Sequence, residues 1–431
     1  MNTQRHVGPP AARSLLRTAS LGAVAALALA ACASGGSSSS DDAASGDGAA
    51  GDSGGLDLSI GTILPQTGSL ATLGPPEIAG VDLAVKEIND AAKGLTIEVT
   101  HTDSGDTTTN IATQSATSLL SQGVSTIIGA ASSGVSMTII DQITQAGVVE
   151  ISPANTSPDF TDYDDDGFYW RTAPSDVLQG QILGNKIIED GKTNVAILYM
   201  NDPYGIGLSE NIAKTLEAAG VAVAANITYD PAASNFTSEV GQILGAGPDA
   251  VVVVGFEESK VIFSNLATEG YDFANVYGTD GNYGLMQPGD EPDIAGAQFS
   301  SPGVKASDDL QSRLQDLVKS QGGEELQVFT YGPESYDAVI LSALAALQGG
   351  AADGTTIRDN LESVSKDGTK CATFAECADL IAAGTDVDYD GQSGPVTFDA
   401  AGDVTEATVS IYKYTSGNES EWVDGVEGSL S

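Results

Sequence analysis

Few side chains in this sequence have the type and spacing that a catalytic centre needs. The chain contains two histidines, His6 and His101. A serine-histidine-acid triad in the mature chain would therefore have to use His101, at the end of a predicted strand. Ser363 and Lys366 have the S-x-x-K spacing of some acyl-transfer enzymes, but they end a polar helix and the accompanying motifs are absent. The sequence thus predicts a binding protein rather than an enzyme, and it indicates no cofactor.

One acidic segment has the spacing of a metal-binding loop. Asp162, Asp164 and Asp166 alternate along the chain and Gly167 follows, as in the first half of a calcium loop. Residue twelve of such a loop would be Ala173, which cannot supply the bidentate carboxylate that normally completes the calcium ligands. Calcium therefore stays a weak candidate, and a solvated acidic turn is the favoured interpretation.

Two of the three cysteines lie close together in the sequence. Cys371 and Cys377 are separated by five residues, and no histidine lies near them that could complete a zinc site. In an exported protein we expect a disulfide between them that contributes about 2 kcal/mol. Two free thiols are the alternative.

The N-terminal segment indicates export. Residues 1–31 contain three arginines and then an uncharged stretch that is too short to span a bilayer. The segment ends in Leu29-Ala30-Ala31-Cys32, which resembles the lipobox of bacterial lipoproteins; an ordinary signal peptide is the alternative. The resemblance implies that the signal is removed and that Cys32 is lipidated. Residues 32–55 would then form a flexible tether rich in Gly, Ser and Asp, with the globular body anchored on the extracytoplasmic face of the cell membrane by lipid alone.

The charge of the chain excludes whole classes of partner. With 17 basic and 59 acidic residues the formal net charge is −42 at pH 7. Such a surface repels nucleic acids and anionic lipids. We therefore expect no nucleic-acid partner.

From residue 56 onward the sequence alternates between strand and helix patterns. The series begins at Leu56 and starts again after Asp176, and continuous apolar runs such as Ala250–Val254 are typical of strands covered on both faces. Strands are predicted at 56–64, 95–100, 125–129, 148–152, 194–200, 221–228, 250–254, 395–398 and 405–414. Helices are predicted to start near residues 75, 108, 133, 176, 206, 235, 308, 336 and 356. This is the pattern of an α/β protein with two doubly wound lobes and a ligand cleft between them.

Five short blocks in this order resemble one protein family. The blocks are residues 60–68, 129–133, 151–156, 168–174 and 204–207. They resemble the leucine/isoleucine/valine-binding branch of the periplasmic solute-binding proteins, over nearly the whole mature chain. The resemblance implies the type 1 periplasmic-binding-protein fold, in which two Rossmann-like lobes are joined by three crossovers. Lobe 1 would contain residues 56–174 and 303–390, and lobe 2 residues 175–302 and 391–431.

The same resemblance implies a function and partners. Proteins of this branch close on a small ligand and deliver it to an ABC permease. We therefore expect a monomeric substrate-binding lipoprotein that binds a small amino acid, with the branched-chain type favoured. A receptor for urea or a short amide, or a ligand-sensing receptor on the same fold, is the alternative.

The resemblance also assigns ligand contacts one by one. Ser133, at the start of a helix, and Thr156, in a turn, would hold the carboxylate of an amino acid, because a helix N-terminus offers unpaired N–H groups. A helix cap and a turn hydroxyl are the alternatives for these two residues. The ligand's ammonium would meet the carbonyl of Ala154, the hydroxyl of Tyr204 and the carboxylate of Asp280, although Asp280 could also be one more solvated acid.

Two positions depart from the family pattern. Phe256 stands where relatives place a tyrosine, so a hydroxyl is lost while an aromatic face remains. Leu73 stands where relatives use an aromatic residue against the ligand side chain. Both substitutions leave the identity of the ligand's side chain open.

Overall fold

The structure is a computed structural model that describes residues 55–430. The predicted signal segment, Cys32 and all but the last residue of the predicted tether lie outside the described residues.

The first part of the chain forms a parallel sheet of five strands. The strands are β1 (Leu56–Leu64), β2 (Leu95–Asp103), β3 (Thr126–Gly129), β4 (Val149–Ser152) and β5 (Tyr169–Arg171). The helices between them are α1 (Gly74–Ala91), α2 (Ile111–Gln122), α3 (Ser133–Ser136) and α4 (Ile140–Thr144). The strand order is β2-β1-β3-β4-β5, which is the doubly wound arrangement that the sequence predicts.

The second part repeats the alternation. Its elements are α5 (Asp176–Glu189), β6 (Asn194–Met200), α6 (Pro203–Ala218), β7 (Ala222–Tyr229), α7 (Thr237–Gly245), β8 (Ala250–Val254), α8 (Ser259–Thr268), β9 (Val276–Gly278) and β10 (Gln298–Pro302). The five strands are parallel in the order β10-β9-β8-β6-β7. All five residues of β8 are buried, as expected for a strand with helices on both faces.

The third part returns to the first sheet. It contains α9 (Asp308–Ser320), α10 (Gly332–Gly349), α11 (Gly354–Val364), β11 (Thr369–Cys371), α12 (Phe374–Ala382) and β12 (Val387–Tyr389). Helix α10 is buried on all sides from Gly332 to Ala346 and packs against α1. At this contact a methyl group on Gly80 would fall 2.2 Å from the carbonyl oxygen of Gly332, so only glycine allows the two helices to approach so closely.

The last part adds two antiparallel strands to the second sheet. They are β13 (Glu406–Tyr414), which pairs with β10, and β14 (Ser420–Ser429), which forms the edge. The prediction of a parallel sheet is thus confirmed for five strands, and the other two are antiparallel because a five-residue turn joins them. Residues 395–398, predicted as a strand, form isolated bridges only.

Two large hydrophobic cores correspond to the two sheets. Val396, Phe398 and Val404 lie in the first core, together with α1 and α10. The predicted lobe boundaries stay predictions, and this core membership favours a third crossover near Thr405 rather than at residue 390.

A disulfide fastens the small sheet of β11 and β12 to α12. It joins Cys371 to Cys377, and both residues are buried.

We expect the double variant C371S/C377S to lower the free energy of unfolding by about 2 kcal/mol, because the unfolded chain loses its cross-link. Urea denaturation in non-reducing buffer measures the difference. The same experiment with a reducing agent provides the control, since it should lower the stability of the wild type to that of the variant. A wild type unaffected by reduction would contradict the prediction.

Candidate functional site

A small cavity lies between the two sheets, among the loops that follow their parallel strands. The space between the atoms there is about 240 Å³, with the solvent at its mouth included. Six of the seven predicted ligand residues line it: Leu73, Ser133, Ala154, Tyr204, Phe256 and Asp280. Leu70, Ala131, Gly281 and Tyr331 complete the lining, and each of the ten residues is buried. The cavity is thus at the carboxyl ends of the strands, where open α/β sheets bind ligands.

The first-lobe side of the cavity is made by two loops, one after β3 and one after β4. Ser132 caps α3, since its Oγ accepts a hydrogen bond of 3.4 Å from the N–H of Val135. Ser133 therefore does not serve as the helix cap; it lines the cavity, and its Oγ accepts a hydrogen bond of 3.4 Å from the N–H of Ser157. In the second loop, Ser152 Oγ accepts hydrogen bonds from the N–H groups of Ala154 and Asn155 at 3.2 and 2.9 Å. These bonds hold Ala154 against the cavity.

Thr156 is the one predicted ligand residue that does not line the cavity. Its Oγ1 is buried and has no hydrogen-bond partner among the described residues. Its carbonyl oxygen accepts a 2.7 Å hydrogen bond from the N–H of Asp176, at the start of α5. Thr156 is thus placed at the passage between the lobes, beside the cavity.

The second-lobe side centres on Asp280. Its carboxylate accepts hydrogen bonds from Tyr331 Oη at 2.6 Å, Gln179 Nε2 at 2.7 Å and Tyr204 Oη at 3.0 Å. Burial raises the pKa of Asp280, while these three neutral donors act in the opposite direction. No lysine, arginine or histidine belongs to the cavity lining, so the site as a whole is acidic.

Aromatic rings support this carboxylate from one side. The rings of Tyr204 and Phe256 are stacked, with centroids 5.3 Å apart and an interplanar angle of 12°. Asp202 caps α6 through the N–H of Tyr204 at 3.0 Å and so holds Tyr204 in the first turn of that helix. Phe256 therefore contributes both a wall of the cavity and the packing that orients Tyr204.

Sequence reasoning missed three polar residues of this region. Tyr331 reaches Asp280 from the first lobe and Gln179 reaches it from α5. Asp176 lies near it, and both of its carboxylate oxygens are buried and have no hydrogen-bond partner within residues 55–430. Burial raises the pKa of Asp176, and the charge of Asp280 raises it further. Gln179 did carry a signal, because it is a polar residue one turn before the buried residues Ile182 and Leu183 of the same helix.

The lobes touch where α6 meets the first sheet's loops. A methyl group on Gly134 would fall 2.0 Å from Asp202 Oδ2, and one on Gly207 would fall 2.5 Å from Cδ of Pro158. Leu70, Leu73, Ala131 and Ala154 of the first lobe are packed into the second lobe's core. The described structure is therefore a closed arrangement in which glycines permit the contact.

The acidic segment at residues 162–166 forms a turn. Asp162, Asp164 and Asp166 are exposed, and within residues 55–430 no group of three or more His, Cys, Asp or Glu side chains could hold a metal ion. Asp165, between them, instead accepts a 2.6 Å hydrogen bond from the N–H of Gly167. The carboxylates of Asp162, Asp164 and Asp166 are thus exposed around an ordinary turn, which agrees with the favoured interpretation, and the weak calcium candidate stays a prediction. In the same residues, no helix is both long and apolar enough to cross a membrane.

Comparison with known proteins decides the family. The periplasmic binding protein family matches residues 57–419. The chain belongs to this family. It is 26% identical over 372 residues to the Leu/Ile/Val-binding protein BraC3 of Rhizobium johnstonii, covering 84% of this chain and 92% of that protein. It is 27% identical over 366 residues to the chemotactic signal transduction system substrate-binding protein BasB of Halobacterium salinarum, covering 80% and 84%.

The fold is shared with solved structures. The substrate-binding protein LivJ of Streptococcus pneumoniae, in complex with isoleucine, superposes with a TM-score of 0.69 at 24% identity, covering 86% of this chain and all of that one. The type 1 periplasmic-binding-protein fold predicted from the sequence is confirmed.

The raised pKa of Asp202 makes the stability of the folded protein depend on pH. Burial raises the pKa of Asp202 from 3.8 to about 6, so the folded protein binds this proton more tightly than the unfolded chain. The contribution of this bound proton to the free energy of unfolding is fully present below about pH 4 and is lost as the pH rises through 6. We expect Asp202→Asn, which keeps a helix-capping side chain, to stabilise the protein by about 1 kcal/mol more at pH 7 than at pH 5.

Urea denaturation at the two pH values measures this difference. Asp249→Asn is the matched control, because the hydrogen bonds from Thr193 and Asn194 outweigh desolvation and lower the pKa of Asp249, which therefore stays ionised at both pH values. The prediction would be contradicted if both substitutions stabilised the protein more at pH 7 than at pH 5 by the same amount, or if Asp202→Asn showed no such difference.

Proposed function

We propose that the protein is an extracytoplasmic substrate-binding lipoprotein of an ABC importer, and that it binds a small amino acid in the cavity between its lobes. The observation that carries the proposal is the buried Asp280 carboxylate, which has neutral partners only and faces the cavity. A buried carboxylate is costly unless a positive charge meets it. The ammonium group of an amino acid supplies that charge.

The other end of the ligand would meet the first lobe. Ser133 Oγ and the free N–H groups at the start of α3 are suited to a carboxylate, and α3 belongs to the opposite lobe from Asp280. An amino acid would thus contact both lobes and stabilise the closed form. Leu70, Leu73 and Phe256 offer apolar surface to a small aliphatic side chain, which favours the branched-chain type. The similarity to BraC3, a protein named for Leu, Ile and Val binding, agrees with this choice.

Two other functions use the same cleft. A urea or short-amide receptor has no need of a carboxylate as counter-charge, so Asp280 disfavours it. A sensing role is favoured by one observation, the similarity to BasB, a substrate-binding protein of a chemotactic system. Co-purification from membranes with a permease or with a transducer separates transport from sensing.

Asp280→Asn tests the proposed ligand. The variant keeps the shape of the side chain and removes its charge, and we expect it to weaken the binding of valine or leucine at least about 100-fold, because the ligand's ammonium is then buried without a counter-charge. Titration calorimetry with a panel of amino acids, urea and acetamide measures the affinities.

The control is Asp272→Asn, which changes an acid outside the cavity on the same lobe and keeps a helix cap. We expect it to bind like the wild type. Binding of amides but not of amino acids by the wild type, or equal affinity in Asp280→Asn, would contradict the assignment.

The predicted lipid anchor has its own test. Cells that express Cys32→Ser should release the protein from the membrane fraction and should not incorporate labelled fatty acid into it, since the acyl chains are the proposed attachment. The wild type, expressed alongside, should stay with the membranes. Equal distribution of the two proteins would rule out lipidation at Cys32.

A further inference from the structure

A second, larger cavity adjoins the ligand cavity. It lies beside residues 301–306, where the chain passes from the second sheet back to the first lobe, and its empty volume is about 900 Å³ with the adjoining open solvent included. Tyr331 lines both cavities. This one side chain is therefore part of the wall between them.

Tyr331 is held in place from two directions. Its hydroxyl donates a 2.6 Å hydrogen bond to Asp280 Oδ2, and its side chain is almost fully buried. Its backbone has a φ of 62°, a left-handed conformation that residues other than glycine rarely adopt. Strained residues of this kind are concentrated at ligand clamps, where the surrounding structure must hold them.

One side of the larger cavity suits an aromatic group, while Lys305, Glu334 and Glu421 belong to the polar part of its lining. The rings of Tyr283 and Tyr412 are stacked on one side, with centroids 4.3 Å apart, and Trp422 is 44% exposed beside them. Such rings offer large contact areas to another ring. An amino acid held at Asp280 would therefore find room and suitable contacts for a large side chain if the ring of Tyr331 were absent.

We propose that Tyr331 sets the largest side chain that the site accepts, by closing off the second cavity. This inference rests on the proposed amino-acid function. In the wild type the ligand's side chain is confined to the space next to Leu70, Leu73 and Phe256. Without the Tyr331 ring, the two cavities join and aromatic amino acids fit.

The test compares the affinities for valine and phenylalanine by titration calorimetry. Tyr331→Gly removes the ring and suits the left-handed backbone, and Tyr331→Asn, which also tolerates that conformation, is the second opening variant. We expect the ratio of the dissociation constants for phenylalanine and valine to fall about tenfold or more in both. Tyr331→Phe keeps the ring and loses only the hydroxyl, so its affinities should weaken together while the ratio stays within about threefold of the wild type.

A double variant checks where the larger side chain goes. Val304 lines only the second cavity, so Y331G/V304W should fill that space and restore the wild-type ratio. An unchanged ratio in both opening variants, with valine still bound by the wild type, would overturn the role of Tyr331 and leave the proposed function standing. A wild type that binds no amino acid would instead overturn both.

Discussion

The structure of the cleft depends on one buried carboxylate with neutral partners. Asp280 receives its three hydrogen bonds from Tyr331 in the first lobe, Gln179 in the first helix of the second lobe and Tyr204 in α6. These donors come from three separate parts of the chain, so the carboxylate is fully bonded only when the lobes are closed. Closure and the environment of Asp280 are therefore coupled.

This coupling explains how a ligand could control the shape of the protein. In the closed structure Asp280 is buried, and burial opposes its ionisation. A ligand with an ammonium group would stabilise the ionised carboxylate and would contact the first lobe through its other end. A ligand shifts a conformational equilibrium only by its difference in affinity for the two states. A zwitterion that contacts both lobes has such a difference, because half of its contacts are lost on opening.

Much of the fold could be predicted from local sequence patterns, and the site only in part. Strands β1 and β8 have the predicted bounds because residues that disfavour a strand flank them, Gly55 and Pro65 around β1 and Asp249 and Gly255 around β8. Strand β6 is an apolar run between Asn194 and Asn201. The loops after β3, β4, β6, β8 and β9 supply predicted cavity residues because parallel strands direct their carboxyl ends to one edge. Tyr331 was missed because it meets Asp280 across 51 residues of sequence, and no local pattern marks that contact. Thr156 was assigned to the ligand, but the direction of a turn hydroxyl depends on backbone angles that the sequence pattern does not determine.

Arg171 is a basic residue near the cleft that serves the structure of the described chain. Arg171 is buried and bonded to Asp403 by two hydrogen bonds of 2.6 and 2.9 Å, with Ser157 as a further acceptor. Its charge is thus matched mainly by Asp403, although it also acts against the raised pKa of the buried Asp176. Asp280 accepts its hydrogen bonds from neutral donors. A carboxylic acid that lacks an ammonium group would bury a negative charge beside these two carboxyl groups with no cation to meet it, at a cost of several kcal/mol. Under the proposed function, the lack of a free cation in the cavity lining would favour amino acids over simple carboxylates without any contact to the side chain.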